Sequence, residues 1–193
     1  MAEQVMVVND IALKYRDVFH MKGLYQMIRF WLLYEDFVRE DYDQPSSEKY
    51  MEKLMLERRE KGGHKEMWIW WRTFKDETKF FRLELDVDYH VLFMKDIEIM
   101  HEGVKLKTQQ GEVEIKLTAR VVMDPEGDWE KNKILKAFNL HNFVKKRLLK
   151  KELEGYKLKL YRKTYELHRR IKQYLDMKGF LEETEAFWPQ HGH

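Results

Sequence analysis

The chain has 193 residues, of which 44% are hydrophobic, 14% aromatic and 36% charged. That is enough apolar material for one folded domain with its own core, and it argues for a folded protein rather than a disordered one. Formal net charge is only +2 and there is no cysteine, so disulfides, cysteine-ligated zinc and thiol chemistry are excluded.

The charge is nonetheless lopsided. Residues 129–178 carry 16 Lys and Arg against 5 Asp and Glu, and the remainder carries 20 against 29. A basic segment therefore belongs to an acidic body. Abundant Lys, Arg and Glu without Cys also suits a protein from a hot environment. The N-terminus lacks the basic start and apolar run of a secretory leader, and Arg29 interrupts the most apolar stretch, which points to a cytoplasmic protein.

In chain order, Val5, Val7, Ile11, Leu13 and Tyr15 alternate with polar neighbours and predict a strand kinked at Asn9 and Asp10. Residues 23–41 place Leu24, Met27, Ile28, Trp31 and Val38 on one helical face. Pro45, Ser46 and Ser47 then open a second predicted helix over 47–61, with early Glu48 and Glu52, late Arg58, Arg59 and Lys61, and Gly62 and Gly63 as its stop.

From His64 onward the period becomes two. Trp68 and Trp70 fall on one side of a strand and Met67, Ile69 and Trp71 on the other, a pattern that predicts both faces covered. Asp76 and Glu77 make a turn. Over 81–94, Leu83, Leu85, Val87, Tyr89, Val91 and Phe93 alternate with Arg82, Glu84, Asp86, Asp88 and His90. Gly103 marks a bulge or turn, and Gln109, Gln110 and Gly111 a hairpin turn. Val113, Ile115, Leu117, Ala119, Val121 and Met123 line the last strand. Asp124, Pro125, Glu126 and Gly127 end the sheet.

Residues 128–178 read as one long basic amphipathic helix, with Asp128 as N-cap, Gly179 as stop and a break near Asn139 to Asn142 or at Gly155. The acidic tail, 179–193, follows. The whole is predicted as a single α+β domain: two N-terminal helices after a first strand (1–63), an antiparallel meander of four to six strands (64–124) covered by helices, and the long C-terminal helix. That element order is also the order of a helix-grip arrangement, in which a curved sheet wraps a C-terminal helix. No sequence motif carries the analogy.

For function the sequence excludes more than it specifies. Ser46 and Ser47 are the only serines and both read as capping residues; no nucleophile elbow, dinucleotide-binding or P-loop glycine pattern occurs. No cofactor and no resident metal is implied. Glu84, Asp86, Asp88 and His90 share one strand face, where residues two apart are ~6.6 Å from each other, and such a row suits either a hard cation or the wet face of a sheet. The histidines at 101, 141, 168, 191 and 193 do not form a ligand set.

Three expectations follow. The leading one is a non-catalytic binding or interaction module, with Trp68, Trp70, Tyr89 and Phe93 lining an apolar cavity between sheet and C-terminal helix. The second is a nucleic-acid- or ribosome-associated protein that uses Lys145, Lys146, Arg147, Lys150, Lys151, Arg169, Arg170 and Lys172, interleaved with Tyr156, Tyr161 and Tyr165, as an anion-binding surface. The third is an enzyme built on the carboxylate row. A protein partner, self-association, an apolar small molecule and nucleic acid all remain open as partners.

Overall fold

Five antiparallel strands form one sheet, in which the last four strands of the chain make a meander and the first returns to pair with the last. The computed structural model describes residues 3–38, 51–59, 62–101, 104–127 and 149–175. The elements are β1 (Glu3–Phe19), α1 (Met21–Tyr34), β2 (Glu52–Arg59), β3 (Lys65–Asp76), β4 (Phe81–His101), β5 (Val104–Met123) and α2 (Lys150–Tyr174). The class is α+β, as the switch from helical to two-residue periodicity predicts.

The core follows from that alternation. Leu83, Leu85, Val87, Tyr89 and Val91 of β4 and Val113, Ile115, Leu117, Ala119 and Val121 of β5 all turn to one face and are buried. Both described helices cover this face. Leu24, Ile28 and Leu32 of α1, and Leu160, Thr164, Leu167 and Ile171 of α2, are fully excluded from solvent. Tyr25 packs edge-on against Trp71 at 4.6 Å, and Tyr156 of α2 lies 4.9 Å from Phe81. Thr164 satisfies its buried hydroxyl by donating to the Leu160 carbonyl one turn back, at 2.9 Å.

The helices also hold each other. Tyr174 Oη donates to the His20 carbonyl at 3.0 Å, and Lys163 Nζ lies 2.7 Å from Glu35 Oε1. His20 caps α1 by accepting from the Gly23 amide at 3.1 Å, and the helix closes where Asp36 takes a positive φ of 61°.

Two irregularities shape the sheet. In β1 the register slips between Met6 and Val8 and again between Val8 and Ile11, and Asp10 adopts φ 47°. The kink expected at Asn9 and Asp10 is therefore present; Thr118 Oγ1 donates to Asp10 Oδ1 across it at 2.7 Å. In β4 the register slips between Leu92 and Lys95, with Phe93 at φ 53°. This bulge turns Met94 rather than Phe93 into the core.

Several expectations need correction. Gln109, Gln110 and Gly111 are not a hairpin turn: β5 runs straight through them, and the chain reverses between His101 and Val104, which pair directly. Gly111 answers a different need. A Cβ there would stand 2.9 Å from the Leu92 carbonyl oxygen and 3.0 Å from Met94 Cα, so only glycine fits opposite the bulge.

The second N-terminal helix, 47–61, is replaced over Glu52–Arg59 by a strand. Its acid-first, base-last pattern is a local helix signal, but β3 presents an open edge where Leu54 pairs with Trp70 and Leu56 with Trp68. Tertiary pairing overrides propensity.

Both faces of β3 are not covered. Met67, Ile69, Trp71 and Thr73 are buried, whereas Trp70 and Phe74 on the other side face solvent. The C-terminal helix is described only over Lys150–Tyr174 and passes through Gly155 unbroken. The rest of 128–178, the Asn139 to Asn142 break and the Asp128 and Gly179 boundaries lie outside the described residues. Among the described residues no helix is long and apolar enough to cross a membrane.

Candidate interaction surface

With one face of the sheet closed by helices, the chemistry available to a partner lies on the other. Strand alternation puts Glu66, Trp68, Trp70, Arg72 and Phe74 of β3 there, opposite the buried set. Leu54 and Leu56 of β2 stand beside Trp70 and Trp68 in register. Leu56 is 50%, Trp70 43% and Phe74 50% exposed, so three large apolar side chains share one open strip.

Charged groups are interleaved with the strip, Arg72 standing between Trp70 and Phe74 on the strand. The Arg72 guanidinium sits 5.9 Å from the Trp70 ring centroid, and Arg82 sits 4.3 Å from that of Phe74. Arg82 is itself held by Asp76, with Nε to Oδ1 at 2.6 Å. The Trp68 indole stacks on the His90 imidazole at 5.2 Å with the planes 17° apart, and His90 Nε2 is 3.2 Å from Glu66 Oε1. Cation–π and stacking contacts fix the aromatic planes while leaving an edge or face of each ring accessible.

Next to the strip lies the expected carboxylate row. Glu84, Asp86, Asp88 and His90 do share the outer face of β4, and the structure fills the space between them with two arginines. Arg120 Nε lies 2.6 Å from Glu84 Oε2 and its Nη1 2.7 Å from Asp86 Oδ2. Arg72 takes Asp88 with Nη1 and approaches Asp86 Oδ2 at 3.6 Å with Nε. Burial works against the Arg120 charge, but the hydrogen bond and the field of Asp86, with Glu84, hold the guanidinium above its ordinary range. Among the described residues no group of three or more His, Asp or Glu side chains is arranged to hold a metal. The row forms a salt-bridged ladder.

The four aromatics expected to line one cavity are not brought together. Trp68 and Trp70 lie on the outer face and Phe93 is exposed at the β4 bulge, whereas Tyr89 is buried on the inner face beneath the helices. The bulge and the open outer face of β3 are the reasons, and neither is visible in the period-two pattern. Tyr89 has other company. Its ring is 5.1 Å from Trp71, and nearby Glu52 Oε2 accepts from Tyr25 Oη at 3.0 Å and from Trp71 Nε1 at 3.2 Å. The Tyr89 hydroxyl has no hydrogen-bond partner among the described residues, and burial, with Tyr25 and Glu52 nearby, raises it well above the usual phenol range. Sequence reasoning missed Glu52 because it placed that residue on a helix.

The basic cluster is divided. Lys145, Lys146 and Arg147 lie outside the described residues, as do His141, His191 and His193; Lys150, Lys151 and Arg169 are exposed on α2. Much of the remaining charge meets acid in cis. Lys159 Nζ is 2.7 Å from Glu77 Oε1 on the sheet, Lys163 bridges Glu35, and Arg170 pairs with Glu166 at 3.0 Å. Burial, and to a lesser extent the charge of Lys172, lower the His168 imidazole. Tyr161 and Tyr165 pack on each other at 4.4 Å on the helix surface, and Tyr156 turns inward to Phe81.

No protein-family model matches the chain, and no curated protein or solved structure matches it at a significant level.

Proposed function

We propose that this protein is a non-catalytic interaction module that docks a macromolecular partner on the outer face of its sheet, at β2 and β3. The helices serve as the scaffold that closes the other face. The observation that carries the reading is the open strip of Leu56, Trp70 and Phe74 beneath Arg72 and Arg82. Exposed apolar strips with a polar frame mark interaction sites, and Trp and Arg are among the residues enriched where binding energy concentrates. The salt-bridged ladder beside the strip supports the same reading, since its carboxylates are already neutralised by Arg72 and Arg120.

The order β1-α1-β2-β3-β4-β5-α2, with both described helices on the inner face, supports a helix-grip type of scaffold. Leu160, Thr164, Leu167 and Ile171 seat α2 on the sheet, so in this reading the grip is a packed support and the binding surface lies on the reverse side.

The test is site-specific photo-crosslinking in cells, with a benzophenone amino acid in place of Trp70 and, as control, in place of Lys116 on the same face. A discrete adduct from position 70 that is absent at 116 is expected. Equal diffuse labelling at both positions would sink the proposal.

A further inference from the structure

Around its axis α2 presents three bands. Leu160, Thr164, Leu167 and Ile171 face the sheet and are fully buried. On one flank the cations meet acids of the same chain: Lys159 lies 2.7 Å from Glu77, Lys163 2.7 Å from Glu35 and Arg170 3.0 Å from Glu166. The positive charge of that flank is neutralised within the molecule.

The other flank differs. Lys151, Arg162 and Arg169 are 11 and 7 residues apart, close to three and two whole turns, so they stand in one line along the helix. All three are exposed. Among the described residues none of them has an ion-pair partner, and the acid on that side, Glu154, is held by Lys157 at 3.0 Å. An unneutralised row of cations therefore runs over ~27 Å of helix at ~1.5 Å per residue.

Rings run beside the row. Tyr161 and Tyr165, one turn apart, are 44% and 40% exposed with their centroids 4.4 Å from each other, and His168 follows Tyr165 at 6.0 Å. The core does not account for them, since Tyr156 is the tyrosine that turns inward to Phe81. A merely solvated helix face has no need of tyrosine, which is a weaker helix former than Lys, Gln or Glu.

From this we infer that the exposed flank of α2 is a second binding surface, separate from the outer-face strip, and that its ligand is single-stranded nucleic acid. Lys151, Arg162 and Arg169 contact phosphates, and the faces of Tyr161 and Tyr165 stack on unpaired bases. The cations alone would suit any polyanion; the rings narrow the choice. In a duplex the bases cover one another and offer tyrosine no face, whereas a single strand presents the π-face of every base. A lipid surface asks for a broad apolar face to bury. α2 turns that face into the core, and among its described residues Leu158 is the one exposed aliphatic side chain. Because α2 packs on the inner face of the sheet, this surface and the Trp70 strip lie on opposite sides of the molecule.

Fluorescence anisotropy of the full chain with a labelled oligouridine and with a mixed-sequence RNA duplex tests this, alongside flotation with vesicles of phosphatidylserine and phosphatidylcholine. Saturable binding to the single strand, tighter than to the duplex, is expected. Its log K should fall against log salt with a slope of about −2, for three phosphates at about 0.7 each. Tyr161→Ala and Tyr165→Ala each weaken it about fivefold or more, whereas phenylalanine at both positions preserves stacking and affinity. Arg162→Gln with Arg169→Gln lowers affinity and flattens the salt slope. Lys159→Gln with Arg170→Gln, the same change of charge on the paired flank, leaves both unchanged. These side chains are exposed, so circular dichroism spectra stay as in the wild type. Absence of binding at low salt overturns the inference, as does equal affinity for the duplex, indifference to the tyrosine substitutions, or equal losses from the two charge pairs. Binding to the vesicles alone replaces nucleic acid with a lipid surface and overturns it as well.

Discussion

Asp86 is the most buried carboxylate of the outer face, and its environment shows how a row of like charges is made stable at the level of single side chains. Four acidic or imidazole groups along one strand would repel one another if nothing lay between them. Arg120 reaches Glu84 and Asp86 together, and Arg72 reaches Asp86 and Asp88, so each arginine bridges two neighbours. Removing one bridge leaves a largely desolvated carboxylate with a single, longer contact. Arg120→Met is therefore expected to cost about 1–3 kcal/mol of unfolding free energy in urea titration. Lys116→Met on the same strand, an exposed lysine 3.7 Å from Glu114, is expected to stay within about 0.5 kcal/mol. Equal effects would mean that the ladder contributes no more than an ordinary surface pair.

Two glycines inside regular elements mean opposite things at the scale of the element. Gly111 sits opposite the β4 bulge, where a Cβ would press on backbone that has no room to yield, whereas a Cβ at Gly155 in α2 meets nothing within 4 Å. Gly155→Ala should raise stability by about 0.5–1 kcal/mol, because it removes chain entropy from the unfolded state without a clash. Gly111→Ala should lower it, through displacement of Leu92 and Met94. Thermal unfolding of the two variants is expected to shift Tm in opposite directions, and a shared sign would contradict the bulge geometry. β2 teaches a related lesson. Its residues carry a helix-like charge order, yet the element they form is decided by the open edge of β3 and by Leu–Trp pairs across it.

For the whole molecule, α2 is the element that ties the parts together. It packs on the inner face of the sheet through Leu160, Leu167 and Ile171, reaches α1 through Lys163 and Tyr174, and meets the β3–β4 turn through Lys159 and Glu77. The basic helix and the acidic body are in this sense partly each other's counterions. Leu167→Ala, in the middle of that contact, is expected to cost about 2–5 kcal/mol, with helical circular dichroism and tryptophan fluorescence lost in one coincident transition. Separate transitions would show that helix and sheet are not one cooperative unit. Alternation in 81–92 and 113–123, the absence of cysteine, the kink at Asp10 and the basic character of the C-terminal helix were all legible from the chain alone, because period, composition and local backbone preference are properties of neighbours in sequence. The strand identity of 52–59, the bulge that turns Phe93 outward, the reason for Gly111, and the separation of Tyr89 from Trp68 and Trp70 were not. Each depends on which strand lies alongside and which face a helix closes, and those are set by contacts between residues far apart in the chain.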